Sequence, residues 1–212
     1  MAFKVHPKAF RIERNEDWNS RWLNEKKLPE LLEEDFKIRE FLKKKLEDCS
    51  VEKIIIERFP GQIKVIIFTS RPGLIIGRRG EGAELLKKVL ENKILKKKGV
   101  LKLEIKAVKN VWSSAPLTAQ WIAKQIEKRV RYRRVLKSAL GRIITSKEVK
   151  GARVQIQGRL NGTMIARRDA LQKGQLPRQK IRAIIDYGTA RAFCTYGVVG
   201  VKVWIHKGEK LE

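Results

Sequence analysis

Histidine, cysteine and paired acids are scarce in this chain, and each shortage closes a class of function. Only two histidines occur, His6 and His206, so no zinc set of ordinary ligand spacing can be assembled. The two cysteines, Cys49 and Cys194, stand far apart without a CxxC neighbour, which fits reduced thiols in a cytosolic protein. There is no apolar run long enough to span a bilayer, and no long amphipathic helix sets a Trp/Leu face against lysines. Residues 1–14 are basic but include Pro7 and Glu13 and lack an apolar stretch, so they do not read as a secretory signal. Paired carboxylates, a Ser/His/Asp set and an activated Cys/His pair are all missing, so no catalytic residue, metal, cofactor or small-molecule substrate is expected.

Positive charge is what the chain has in excess. Its 212 residues carry 49 Lys plus Arg against 23 Asp plus Glu, a formal charge of +26. With 42% hydrophobic residues it can bury real cores, which excludes a disordered basic tail. A compact domain with this much like charge repels itself, and a polyanionic partner relieves that repulsion. Without a membrane signature, the expected polyanion is nucleic acid. The charge is also uneven. Residues 1–104 hold 25 basic and 17 acidic residues, a net of +8, whereas residues 105–208 hold 23 basic and 4 acidic, a net of +19. The second half has too few carboxylates for pairing and is the stronger electrostatic footprint.

Periodicity divides the chain into an arm over 1–27, an α+β domain over 28–109 and a second α+β domain over 110–212. Leu31, Ile38, Leu42, Leu46 and Cys49 share one helical face between Leu28 and Cys49. Val51–Phe59 and Gln62–Thr69 read as strands of a hairpin turning at Pro60-Gly61. A short apolar stretch, Leu74–Ile76, leads to Gly77-Arg78-Arg79-Gly80, a helix over about 81–95 and a strand over Val100–Ala107. After a hinge near Lys109–Ser114, Ser114 is the expected N-cap of a helix containing Pro116, Trp121, Ile126 and Val130. A bend near Arg131–Arg133 precedes a helix over Arg134–Ile144. Strands are expected at Ala152–Gly158, Met164–Ala170, Arg182–Tyr196 and Val198–His206. In the arm, Trp18 and Trp22 read as anchors rather than base-stacking platforms, and Asp169 and Asp186 as partners of nearby arginines.

Gly77-Arg78-Arg79-Gly80, set between two helices, is the motif that carries chemistry. Glycines at both ends allow a sharp turn and keep Cβ atoms away from an approaching phosphate chain. The amides opening the next helix favour an anion, and Arg78 and Arg79 add full charges. A KH domain clamps a short stretch of nucleic-acid backbone in this way, beside a groove that reads unstacked bases. A Walker A loop is excluded because no Lys-Ser/Thr follows, and Gly77-x-x-Gly80-x-Gly82 is not a dinucleotide fingerprint.

A second candidate site is helical. Arg133, Arg134 and Lys137 lie three or four apart on one face, and Lys124, Lys128 and Arg131 form a similar row one helix earlier. Glu127 is the one acid spaced to balance them, so the rows point to RNA rather than to a solvated surface. Arg159, Arg167 and Arg168 are further basic candidates.

Motifs along nearly the whole chain resemble one family. They are Lys4-Val5-His6-Pro7, Trp18-Asn19-Ser20-x-Trp22, Asp35-Phe36-Lys37, Arg71-Pro72-Gly73 with Ile76-Gly77-x-x-Gly80, Gly158-Arg159-Leu160, Ile185-Asp186-Tyr187, and Tyr196-Gly197-Val198-x-Gly200-Val201-Lys202-Val203-Trp204-Ile205. Together they resemble the family of small-ribosomal-subunit protein number three, in its bacterial or organellar form. The resemblance implies a type II KH domain followed by a second α+β domain whose helices pack on a mostly antiparallel sheet. It also implies a place on the head of the small subunit, cytoplasmic or organellar, with small-subunit rRNA, mRNA and neighbouring ribosomal proteins ten, fourteen, four and five as partners. In that family, basic residues of the second domain line the channel through which mRNA enters and help unwind it without hydrolysing nucleotide. Arg133, Arg134 and Lys137 fall on the matching motif. Two departures bear on function. The chain stops soon after Gly208-Glu209, without the basic tail of many bacterial members, and Ser138 stands where some members have another basic residue. The Lys93–Lys98 run is longer than usual and has no assigned role. Two other classes stay open at this point: a free KH-type RNA chaperone or regulator, and a strand-cleaving lyase or nuclease.

Overall fold

The computed structural model describes residues 5–12, 17–92 and 101–209, which form two compact units. One is Trp18–Lys109; the other joins Met1–Asp17 to Asn110–Glu212. The stretch 1–27, expected as one arm, thus divides between the two units. The Lys93–Lys98 run lies outside the described residues.

In the first unit α1 (Leu28–Lys45) turns Ile38 and Leu42 inward, one helical turn apart, and Leu46 and Cys49 continue that face past the helix end. Strands β2 (Val51–Phe59) and β3 (Gln62–Thr69) form the expected hairpin, with Phe59 opposite Gln62 and Gly61 at φ +78°. Their period of two sends Ile54, Ile56, Val65 and Ile67 into the core. Because β4 (Leu101–Ala107) runs parallel to β3, the chain must cross over between them. The crossover is made by α2 (Pro72–Ile76) and α3 (Glu81–Leu90), which close the core with Ile75, Leu86 and Leu90. Of the helix expected over 81–95, α3 covers Glu81–Leu90, and residues 93–95 lie outside the described residues. At the opposite edge β1 (Ser20–Arg21) runs parallel to β2, giving a sheet ordered β1-β2-β3-β4.

A buried acid ties β1 to this unit. The Asp35 carboxylate is fully buried and accepts hydrogen bonds from Ser20 Oγ at 2.8 Å, Trp22 Nε1 at 2.9 Å and Arg58 Nη2 at 2.6 Å. Trp22 is therefore an anchor, as expected, while Trp18 stays 64% exposed.

In the second unit α4 (Ala115–Glu127) and α5 (Tyr132–Thr145) cover one face of an antiparallel sheet ordered β6-β5-β8-β7. Its strands are β5 (Gly151–Gly158), β6 (Arg167–Gly174), β7 (Ala183–Cys194) and β8 (Gly197–Glu209). Ala119, Ile122, Leu136 and Ile143 of the helices meet Val154, Ile156, Val201 and Val203 of the sheet. The start of α4 lies against β7, where any Cβ on Gly188 would collide with the Ala115 backbone.

Three expectations are corrected here. Ser114 does not cap α4 with its side chain; the Ala115 amide instead donates to Asp186 Oδ2 at 2.8 Å. Asp186 pairs with no arginine among the described residues; its other oxygen holds Lys8 Nζ at 3.0 Å. The strand expected from Met164 begins at Arg167, since residues 159–166 are held as a loop. Residues 5–12 dock on this unit: the His6 ring packs edge-on to Tyr187 at 4.9 Å, and Arg11, almost fully buried, donates to the carbonyls of Arg178 and Lys180.

Candidate nucleic-acid interface

The first candidate surface is the turn between α2 and α3. Gly77 at φ +71° and Gly80 at φ +87° adopt conformations that L side chains rarely take, and Arg79 joins them at φ +51°. A Cβ on Gly82 would lie 2.7 Å from the Ile75 carbonyl oxygen, so this glycine lets α3 pass close under α2. Arg78 and Arg79 are exposed and form no ion pair among the described residues. Glu81 and Glu84 sit in the first turn of α3, so the helix start already carries negative charge beside the two arginines. Leu74, Ile76 and Leu85 leave exposed apolar surface on the same two helices.

The second surface lies at the start of α5. Val135, Leu136, Ala139 and Leu140 face the core, which turns Arg133, Arg134 and Lys137 to solvent. These three border a cleft of about 890 Å³ with Val130, Arg131 and Ser138. None of the three forms an ion pair among the described residues, although Arg133 Nε donates to the Tyr132 hydroxyl at 3.1 Å. Glu127, the acid expected to balance the cluster, accepts from the Phe193 amide at 3.0 Å at the edge of β7.

The row expected from Lys124, Lys128 and Arg131 is broken. Helix α4 ends at Glu127, Lys128 follows it, and Arg129 at φ +59° reverses the chain before α5 begins. Lys124 remains half-buried on α4, Lys128 is exposed at the turn, and Arg131 joins the α5 cluster. The remaining candidates separate as well. Arg159 donates from Nε to the Thr163 carbonyl at 3.0 Å and from Nη1 to the Tyr196 carbonyl at 3.2 Å, so it holds the loop before β6. Adjacent strand residues face opposite ways. Arg167 accordingly lies on the helix side, near Arg131 and Arg133, whereas Arg168 turns to the other face and donates to Gln155 Oε1 at 2.8 Å.

That helix-free face gathers two arginines the sequence reading did not single out, Arg153 and Arg178. Burial, then the like charges of Arg178 and Arg168, hold the Arg153 guanidinium below its ordinary pKa. Alternation along β5 could have shown that Arg153 shares a face with Gln155; its proximity to Arg178 depends on the sheet order.

An αββααβ unit with a GxxG turn, followed by helices on an antiparallel sheet with a carboxylate-poor basic face, defines a two-domain RNA-binding protein of the KH class. The family model described as KH domain matches residues 37–113, and the one described as ribosomal protein S3, C-terminal domain, matches residues 122–205. The small ribosomal subunit protein uS3 of Caldicellulosiruptor saccharolyticus is 47% identical over all of this chain and 94% of its own length. That of Dichelobacter nodosus is 46% identical over all of this chain and 87% of its own, and uS3c of Rhodomonas salina is 42% identical over 99% and 96%. The chain belongs to the small ribosomal subunit protein uS3 family.

Proposed function

We propose that this protein is a structural, non-enzymatic component of the head of the small ribosomal subunit, in a cytoplasmic or organellar ribosome. It binds small-subunit rRNA and borders the channel through which mRNA enters, helping to open paired mRNA during translation. Ribosomal proteins ten and fourteen are its neighbours on the head, and four and five its neighbours across the channel. The names of its relatives and their near-complete overlap with this chain support the ribosomal part.

One observation carries the channel role: Arg133, Arg134 and Lys137 stand exposed on one face of α5 without an acid to neutralise them among the described residues. Guanidinium forks bind phosphate bidentately, so a moving strand is held by its backbone whatever its sequence. The KH turn, with its two arginines, is assigned to rRNA backbone in place. Arg133→Ala combined with Arg134→Ala is expected to slow ribosome transit through mRNA hairpins while leaving small-subunit assembly intact. Single-ribosome or toeprint timing on a hairpin-bearing message reads this out. Unchanged transit would remove the channel role, and a protein that never co-sediments with small subunits would remove the ribosomal one.

A further inference from the structure

Next to the α5 cluster lies a smaller cleft with a different lining. It encloses about 500 Å³ between the start of α5 and the loop entering β6, and is bordered by Arg131, Tyr132, Arg133, Leu160, Asn161, Thr163 and Arg167. We propose that this cleft takes one unpaired nucleotide of single-stranded RNA, with its base on the Tyr132 ring and its phosphate among the three arginines. The proposal rests on the channel reading and gives it a second element, a subsite that distinguishes an open strand from a closed one.

Four features of the cleft support the assignment. Its lining combines an aromatic ring, three guanidinium groups, one side-chain amide and two hydroxyls, with no carboxylate among the described residues. Unstacked bases are held on just such aromatic and guanidinium planes, whereas duplex RNA offers its phosphates and keeps its base faces covered. Tyr132 is already paired with an arginine: the Arg133 guanidinium lies 5.8 Å from its ring centre. That arrangement suits a cation next to both a π face and a phosphate.

The loop wall is also built before any ligand arrives. Leu160 is buried in the core, Arg159 pins the loop to the carbonyls of Thr163 and Tyr196, and Thr163 Oγ1 lies 3.1 Å from the carbonyls of both Leu160 and Ile165. A preformed wall loses little freedom on binding. Asn161, held at φ +54°, is exposed on the cleft wall, and its side-chain amide offers a carbonyl acceptor and an NH2 donor to a base edge. Finally, the same loop carries Met164 and Ile165, 91% and 75% exposed. Apolar side chains of this kind separate stacked base steps when inserted between them. The loop that walls the cleft thus also offers two apolar side chains to an RNA strand.

The full chain is titrated with a labelled oligouridine of about 12 nucleotides, long enough for one site, and with a blunt RNA duplex of matching length. Tyr132→Ala is expected to weaken the single strand by roughly 5- to 150-fold, the loss of one stacked base, and to leave the duplex unchanged. Tyr132→Phe, which keeps the ring, is expected to retain single-strand affinity. Equal weakening of both probes, or none, overturns the cleft. Tyr132 packs against the core, so a measurement on the unaltered protein stands beside the variants. Oligouridine carrying 4-thiouridine should photocrosslink to Tyr132 or to residues 160–167, and crosslinks confined elsewhere overturn the cleft. If Arg133→Ala with Arg134→Ala leaves oligouridine affinity unchanged, the channel reading falls and the cleft with it. If that pair weakens binding while Tyr132→Ala is silent, the cleft alone falls.

Discussion

Asp35 shows how much one side chain can hold. It is the shared acceptor for a serine, a tryptophan and an arginine, and it replaces water for all of them. Its main partner, Arg58, is itself nearly buried, with a side-chain exposure of 9%, and also reaches Glu34 at 2.7 Å. Removing one partner of a buried pair leaves the other charge uncompensated, which typically costs about 3–5 kcal/mol. Asp35→Ala is expected to lower the stability of the Trp18–Lys109 unit by that amount and to release β1. Urea unfolding measures the loss, and quenching of Trp22 fluorescence reports the release. A loss below about 1 kcal/mol would mean that Glu34 and solvent compensate Arg58 without Asp35. None of this depends on RNA, so rRNA affinity should fall only as far as the folded fraction does.

At the scale of elements, two helices are set by glycines with different tasks. Gly82 lies under α2, where a methyl group would press on the Ile75 and Ile76 carbonyl oxygens at 2.7 and 3.0 Å, atoms that cannot move aside. Overpacking of this sort costs about 1–3 kcal/mol. Gly82→Ala is thus expected to destabilise the unit by that range and to distort the turn that carries Arg78 and Arg79. Gly73 on α2 has open space around it, so Gly73→Ala should be neutral or slightly stabilising. Thermal melts of the two variants side by side check the contrast, which a generic penalty for altering this turn would not produce.

Elements written by local pattern were legible in advance. β2 and β3 are found residue for residue because two runs rich in β-branched residues flank a Pro-Gly turn, and α1 starts at Leu28 as expected. Features set by distant partners were not. Ser114 takes the N-cap position of α4 as its local signal indicated, but the capping oxygen comes from Asp186, 71 residues from Ala115. Arg129 in a left-handed conformation ends one helix and splits a basic row, although arginine carries no sign of such a turn. Met164 and Ile165 resemble the start of a strand, yet Arg159 fastens their loop outside the sheet. At the candidate site, the i, i+3 and i+4 spacing identified the α5 cluster, whereas the cleft beside it needed β6 and its loop to be placed.

Across the whole molecule, net charge and folded geometry answer different questions. Composition located most of the excess charge after residue 104, but not every cation in that stretch is available to a phosphate. Arg159 bonds two carbonyls, Lys180 pairs with Glu209 at 2.9 Å, and Lys8, from the other end of the chain, lies on Asp186. Arg133, Arg134 and Lys137 have no such pairing among the described residues, so each can displace counterions from an RNA strand when it binds. On a single strand each phosphate neutralised contributes about 0.7 to the slope of log affinity against log salt. Replacing all three by alanine is therefore expected to flatten the slope for oligouridine by about 2, and Lys180→Ala to leave it unchanged. Binding titrations over a range of salt give both slopes directly. A triple variant that loses affinity at every salt concentration while keeping its slope would show that these side chains shape the surface without meeting the backbone. Equal flattening by Lys180→Ala would show that net charge, not placement, governs RNA binding.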